Sequence, residues 1–176
     1  MSDAGEDGPR LPADSPVSES VLDTVLPADT VVEQISVDAP PAVRPVVGGR
    51  HEARERAVHL LYESRIKDLG IDEVLAGQVL APDEYADTLV RGVVEHQEEL
   101  DGLIGRLVRG WTIERMATLD LVVLRVACFE LAHRPDVPTG VVLAEAVDLA
   151  GRYGTDESAR FVDGVLAAAA EEMRGG

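Results

Sequence analysis

The sequence predicts an all-α protein, a bundle of about seven helices. Aromatic residues make up 3% of the chain, and the abundance of Ala, Leu, Val and Glu favours helices over strands. In the segment 118–133, the polar residues Asp120, Arg125 and Glu130 recur every five positions and leave no wide polar face. This helix is too short and too charged to cross a bilayer, so other helices must surround it. We predict that it is the central axis of the bundle.

Residues 1–49 have the composition of a disordered acidic extension. They contain seven of the ten prolines, nine acidic residues, two basic residues and no aromatic residue. Such a segment cannot bury enough apolar surface to offset its ordering entropy. Three roles stay open for this segment: an inert extension, an arm that binds a partner, or an acidic mimic of RNA that folds back on the arginines of the helical domain. We predict that residues 50–176 form a separate helical domain.

Four helices are predicted before the central one. The first begins at Arg50 and ends before Gly70, and the second covers residues 71–80. Pro82 suits the first position of the third helix, because its missing N–H is not needed there. A fourth helix follows, and Trp111 is expected to pack where it joins the central helix.

Two further helices are predicted after the central one. Pro138 begins the first of them, and the glycine-containing segment 151–154 ends it. Thr155 or Asp156 is expected to cap the last helix, which carries Phe161 on its inner face.

The formal net charge of −17 argues against general nucleic-acid binding, so any RNA contact must come from a local basic patch. Cys128 is the only cysteine and lies in the central helix, which leaves no disulfide framework. The N-terminus is acidic and interrupted by proline, unlike a signal peptide. We expect a cytoplasmic protein with no membrane segment.

The sequence predicts no enzyme activity, cofactor or metal site. It contains no dinucleotide-binding glycine motif, P-loop or Ser/His/Asp arrangement. His51 and Glu52 match the start of a zincin metal-binding motif, but Glu55 stands where that motif needs its second histidine.

One flank of the first helix has the composition of an RNA-binding surface. It holds Arg50, His51, Arg54, Tyr62 and Arg65 at helical spacings. Arginine pairs with phosphate, and a tyrosine ring offers a stacking plane for an unpaired base. The alternative is a solvated helix face, because intervening acidic residues offer these arginines partners.

Several blocks in order along the chain resemble the NusB family of bacterial transcription antitermination factors. The blocks are R-H-E-A-R-E-R-A-V-H-L-L-Y at 50–62, L-D-G-L-I at 100–104, V-L-R-V-A-C-F-E-L at 123–131, D-V-P at 136–138, E-A-V-D-L-A at 145–150 and F-V-D-G-V-L at 161–166. The resemblance implies an all-helical fold of two three-helix sub-bundles without catalysis. It also implies two ligands, single-stranded boxA RNA and the ribosomal protein NusE, within the transcription elongation complex.

The resemblance implies RNA contacts from the opening of the first helix. Arg50, Arg54 and Arg56 occupy its arginine-rich segment, and Tyr62 is the stacking candidate. Two positions at which relatives often carry arginine hold other residues, His51 and Glu52. Because each lost phosphate contact removes one counterion-release contribution, RNA affinity is expected to be lower than in arginine-richer relatives.

The resemblance also implies a binding site for the protein partner at the acidic start of the last helix. Asp156 and Glu157 form that start, and Phe161 follows. Glu157 and Phe161 are four residues apart, so they share one helix face. Phe161 as an ordinary core residue remains the alternative.

The leading hypothesis is therefore an antitermination factor that binds boxA RNA with NusE and supports transcription of ribosomal RNA operons. Two alternatives stay open: a structural or regulatory helical dimer without RNA binding, and a stand-alone RNA-binding domain in ribosome biogenesis. The sequence does not distinguish a monomer from a homodimer.

Overall fold

The computed structural model describes residues 49–108, 110 and 112–175. Within them the chain forms seven α-helices and one 3₁₀ turn, and no strand, which confirms the predicted all-α class. The elements are α1 (Arg50–Lys67), α2 (Ile71–Ala76), α3 (Glu84–Glu95), α4 (Gln97–Leu107), the 3₁₀ turn Ile113–Arg115, α5 (Thr118–His133), α6 (Thr139–Tyr153) and α7 (Ser158–Arg174). The predicted extension before Gly49 and the predicted packing of Trp111 lie outside the described residues.

Helix α5 is the central axis of the bundle, as the sequence predicts. It contacts α1, α3, α4, α6 and α7, and all residues from 120 to 131 are buried. Burying one Leu or Val side chain stabilises a fold by about 1.5–3 kcal/mol. The apolar residues of α5 therefore contribute a large share of the folding free energy. No helix in the described part of the chain is long and apolar enough to span a membrane.

The other helices form two groups around α5. In the N-terminal group, α1 contacts both α2 and α3. In the C-terminal group, α6 and α7 pack on each other and on α5, while α4 contacts both α5 and α7. Helices α1 and α3 also contact α5, so α5 joins the two groups into one core.

The start of α3 differs from the sequence prediction. Asp83 is the N-cap residue, and its carboxylate accepts hydrogen bonds from the backbone N–H groups of Tyr85 and Ala86. Pro82 therefore precedes the helix and does not occupy its first position. The helix begins after Asp83 because its carboxylate satisfies two backbone N–H groups that the first turn leaves unpaired.

The start of α7 also differs from the prediction. Its N-cap residue is Glu157, so neither Thr155 nor Asp156 caps the helix. The buried hydroxyl of Ser158 instead accepts a hydrogen bond from the backbone N–H of Thr155 at 2.9 Å. The hydroxyl of Ser158, the first residue of α7, thus stabilises the turn before the helix. Glu157 is exposed at the helix start.

A close approach between α3 and α5 depends on Gly92. A Cβ atom added at Gly92 would lie 2.0 Å from Cζ of Phe129, far inside van der Waals contact. The absent side chain therefore makes room for the Phe129 ring against the α3 backbone.

Candidate RNA and partner interfaces

Arg50 at the start of α1 belongs to a surface cluster. Its side chain is 52% exposed, and its Nη2 donates a hydrogen bond to Oδ2 of Asp136 at 3.0 Å. Its guanidinium carbon lies 5.1 Å from the centroid of the Tyr85 ring, and that of Arg134 lies 4.8 Å from the same centroid. We call Arg50, Tyr85, Arg134 and Asp136 the Tyr85 cluster. It places two arginines over one aromatic ring.

Sequence reasoning missed Tyr85, Arg134 and Asp136 as candidate site residues. Nε of Arg134 donates to Oδ1 of Asp136 at 3.1 Å, and this pairing is the main reason that the pKa of Asp136 is lowered to about 2. Asp136 is therefore charged at neutral pH. The sequence does show a basic end of α5 followed by a turn. It does not identify the contact with Arg50, because Arg134 and Asp136 are far from Arg50 along the chain.

Arg54 lies in the interior and not on the surface expected for a phosphate contact. It is 2% exposed, and its Nε and Nη2 donate to Oε2 and Oε1 of Glu130, each at 2.9 Å. Burial by itself lowers the pKa of Arg54, but the hydrogen bonds and charge of Glu130 outweigh it and leave that pKa raised. The hydroxyl of Tyr85 donates to Oε1 of Glu130 at 2.5 Å. Arg54 thus helps to hold Tyr85 in place, because both residues bind the carboxylate of Glu130.

His51 is engaged in a polar network with acidic residues. Its Nδ1 lies 2.6 Å from Oε2 of Glu145, and its Nε2 lies 3.3 Å from Nη2 of Arg152. Nη1 of Arg152 also donates to Glu55 at 3.5 Å, and the hydroxyl of Tyr153 donates to the same carboxylate. Side chains of α6 therefore reach the face of α1 on which His51 lies.

The remaining predicted RNA residues lie further along α1. Nη2 of Arg56 donates to Oε1 of Gln78 at 2.7 Å in a partly buried contact. Tyr62 is 38% exposed, and Arg65 is exposed near the end of the helix. Since Tyr62 follows Arg50 by twelve residues, the two are separated by about 18 Å along the helix axis. The structure therefore spreads the predicted residues along α1 and does not gather them at one point.

Two of the three predicted partner residues line a cavity of about 920 Å³. Glu157 and Phe161 both face it, whereas Asp156 is exposed and is not among its lining residues. Phe161 is partly buried against the core, and it also borders the cavity. The other walls come from the end of α4 and from the segment between α4 and α5, with the apolar residues Leu107, Val108, Met116 and Ala117, while Val165 adds a further apolar side chain from α7.

A buried carboxylate adds polarity to this cavity. Asp120 is 7% exposed, lines the cavity and belongs to the first turn of α5. Its Oδ1 meets no hydrogen-bond donor among the described residues. An unpaired buried acceptor costs about 1–3 kcal/mol, so a donor brought by a ligand would be favourable there.

The lone thiol is unsuited to nucleophilic chemistry. Cys128 is fully buried in α5, and burial raises the pKa of its thiol to about 12. The thiol is therefore protonated at neutral pH, as its position in the apolar helix predicts.

These features define an all-α bundle with two separate candidate sites, the polar Tyr85 cluster and the largely apolar cavity beside α7. The family model for the NusB family matches residues 51–171. The chain belongs to the NusB family.

Individual proteins agree with this assignment. The transcription antitermination protein NusB of Symbiobacterium thermophilum is 40% identical over 140 residues, which cover 72% of this chain and 92% of that protein. The structure of T. maritima NusB gives a TM-score of 0.65 at 29% identity, over 71% of this chain and 92% of that one. A crystal structure of the antitermination factors NusB and NusE with double-stranded RNA gives a TM-score of 0.58 at 28% identity, over 70% of this chain and 96% of that one.

Proposed function

We propose that this protein is a transcription antitermination factor that binds boxA-type single-stranded RNA together with the ribosomal protein NusE. It acts without catalysis, in the cytoplasm, as part of the transcription elongation complex on ribosomal RNA operons. Membership of the NusB family supports this role, as does the relative named as an antitermination protein. The similar complex of NusB, NusE and RNA supports the two partners.

The Tyr85 cluster is the observation that carries the RNA proposal. Arg50 and Arg134 lie over one ring and share Asp136 as their acidic partner. An exposed ion pair of this kind contributes only about 0–1 kcal/mol, so an RNA phosphate can replace Asp136 at little cost. Once bound, the phosphate gains hydrogen bonds from two guanidinium groups and releases condensed counterions.

Other residues along α1 are assigned as further RNA contacts. Arg56, Tyr62 and Arg65 follow the cluster toward the end of the helix, and His51 borders it on the α6 side. Tyr62 supplies a stacking plane for an unpaired base. Arg54 acts as a positioning residue, because its contact with Glu130 fixes the carboxylate that holds the Tyr85 hydroxyl.

The cavity beside α7 is the proposed site for NusE. Phe161 and the neighbouring apolar residues fit an apolar side chain of the partner, while Glu157 and Asp120 fit its N–H or cationic groups. Asp156 lies beside this site at the exposed start of α7 and adds negative charge. Arg115 and Arg160 also line the cavity, so its lining carries both signs of charge.

Binding of fluorescently labelled RNA to the full-length protein tests the proposal. Anisotropy is measured with boxA-type RNA, a scrambled single strand of equal composition and a duplex, each with and without purified NusE. We expect the boxA strand to bind best and NusE to increase its affinity. Equal binding of the scrambled strand, or no effect of NusE, would contradict the proposed function.

A further inference from the structure

Three side chains with metal-binding atoms converge where α3, α4 and α5 meet. His96 links α3 to α4, Glu99 lies in the first turn of α4, and His133 ends α5. Their candidate ligand atoms all lie within 4.8 Å of one another. The two imidazole centroids are 4.2 Å apart, with ring planes inclined by 45°. Neither the Tyr85 cluster nor the cavity beside α7 includes any of these residues.

Packing holds His133 in place from one side. Its ring stacks on Phe129 with centroids 4.9 Å apart, and Phe129 lies one helical turn earlier in α5. Phe129 is itself seated against the α3 backbone in the space that Gly92 leaves. The orientation of His133 is therefore set by the buried contact between α3 and α5.

A backbone hydrogen bond orients His96. Its Nδ1 lies 2.9 Å from the carbonyl oxygen of Gly92. A carbonyl oxygen only accepts hydrogen bonds, so Nδ1 is the donor, and the tautomer that this bond selects has its lone pair on Nε2. Metal-binding histidines commonly have this arrangement, in which a backbone carbonyl fixes the tautomer and the ring orientation.

We propose that His96, His133 and Glu99 form a binding site for a divalent transition metal ion, with Zn²⁺ as the best match. Two imidazole nitrogens and one carboxylate are a common three-ligand set for zinc, with solvent at the fourth position. Magnesium and calcium are disfavoured because they prefer oxygen ligands.

The geometry needs only a small adjustment. Metal bonds of about 2.0–2.2 Å place neighbouring ligand atoms roughly 3.3 Å apart in a tetrahedral site. Glu99 is exposed, so rotation of its side chain can close the remaining distance while the His133 ring keeps its stacking on Phe129. The bound ion would tie the junction of α3 and α4 to the end of α5, and this binding does not depend on the proposed RNA function.

The sequence does not reveal this site, because His133 follows His96 by 37 residues and no zinc motif has that spacing. Only the crossing of α3 and α5 brings the two imidazoles together. This is why the sequence predicts no metal site even though the fold assembles a ligand set.

Calorimetric titration of the chelator-treated full-length protein with ZnCl₂ tests the proposal. We expect one ion per chain, and a rise in Tm of about 5 °C when free zinc exceeds its Kd tenfold. MgCl₂ at the same concentration should leave Tm unchanged. Cobalt substitution provides a readout that needs no variant, because four-coordinate Co²⁺ with imidazole ligands gives intense visible absorption bands.

Single substitutions locate the site. His133→Gln and Glu99→Gln change exposed side chains, so circular dichroism should show an intact fold, and each should weaken zinc binding tenfold or more. His59→Gln, an exposed histidine on α1 outside the cluster, is the matched control and should bind like the wild type. If the wild type binds no zinc, or if His133→Gln binds it with unchanged affinity, the cluster is aromatic packing only and the proposal is wrong.

Discussion

Arg54 of α1 and Glu130 of α5 form a buried bidentate ion pair that joins the first helix to the central one. Nε and Nη2 of the guanidinium donate to the carboxylate oxygens over 2.9–3.1 Å, and the residues are 2% and 1% exposed. Removing two charges from water is costly, and only close pairing with further hydrogen bonds offsets that cost. The hydroxyl of Tyr85 supplies one such bond to the carboxylate.

Loss of one partner of this pair should be strongly destabilising. Arg54→Ala leaves Glu130 buried and uncompensated, so we expect the free energy of unfolding to fall by about 3–5 kcal/mol. Urea denaturation followed by circular dichroism measures the change. Arg50→Ala removes an exposed ion pair and should cost about 0–1 kcal/mol, which makes it the matched control. A loss below about 1 kcal/mol for Arg54→Ala would show that the pair is not important for folding.

Local periodicity explains what the sequence could predict. The bounds of α5 follow from its apolar content and its flanking residues, and the structure gives the same helix, Thr118–His133. Glu157 and Phe161 were expected to share a face because their four-residue spacing is a local property, and both line the cavity. Helix starts were less predictable: Pro82 favoured an earlier start for α3 than the Asp83 cap gives, and α7 begins after Glu157, which makes no side-chain capping bond.

Contacts between distant segments explain what the sequence could not predict. Arg54 and Glu130 are 76 residues apart, and nothing in the helical pattern of either segment identifies the other as its partner. The position of Arg54 beside surface arginines favoured a phosphate contact, but the crossing of α1 and α5 buries it. The pairing of Arg50 with Asp136, 86 residues away, was hidden for the same reason.

Gly92→Ala should destabilise the protein although alanine is the better helix former. The new Cβ would lie 2.0 Å from Phe129, and relieving that overlap is expected to cost about 1–3 kcal/mol. Gly102→Ala in α4 is the control, because only the tip of Arg106 approaches its Cβ, at 3.9 Å. That change should stabilise the protein by roughly 0.5–1 kcal/mol. Thermal unfolding of both variants checks the prediction, and equal shifts in the same direction would contradict it.

Because of Tyr85, the free energy of unfolding should decrease as the pH rises in the alkaline range. Burial, followed by the hydrogen bond to Glu130, raises the pKa of Tyr85 from 10.0 to about 12. Between those values the unfolded chain loses the proton while the native state keeps it. The stabilising contribution is therefore complete below pH 10 and is lost as the pH rises toward 12.

Comparison with Tyr85→Phe isolates this effect. The variant lacks the hydroxyl and should be less stable than the wild type at pH 8. The difference in unfolding free energy between the two proteins should shrink from pH 10 to pH 12, because only the wild type loses the Tyr85 contribution. Urea denaturation across this range measures it. A difference that stays constant would mean that the pKa of Tyr85 is not raised.

Glu157→Lys should weaken binding of NusE. The substitution reverses a charge at the N-terminus of α7, where the helix dipole favours an acid, and it introduces a cation beside the cavity. Asp163→Lys makes the same change at an exposed position of α7 that does not line the cavity, and it should bind NusE like the wild type. Calorimetric titration with purified NusE compares the variants. Equal weakening by both would indicate a general charge effect and remove Glu157 from the proposed site.

The salt dependence of RNA binding separates ionic from stacking contacts. If Arg50 and Arg134 each neutralise one phosphate, replacing either by Ala should make the slope of log K against log salt shallower by about 0.7, the value for single strands. Asp136→Ala should maintain or increase affinity, because it frees both guanidinium groups from their carboxylate. Arg106→Ala removes an exposed arginine that pairs with Glu172 on another surface, and it should leave the slope unchanged.

Tyr62→Ala should act differently, because stacking on a base is not ionic. Its loss is expected to cost about 1–3 kcal/mol of binding free energy with a nearly constant salt slope. Anisotropy titrations of boxA-type RNA at several salt concentrations, on variants whose folding has been checked by circular dichroism, distinguish the two effects. If folded Arg50→Ala and Arg134→Ala proteins keep both the affinity and the slope of the wild type, the Tyr85 cluster is a solvated ion-pair surface, and the RNA site must be sought elsewhere.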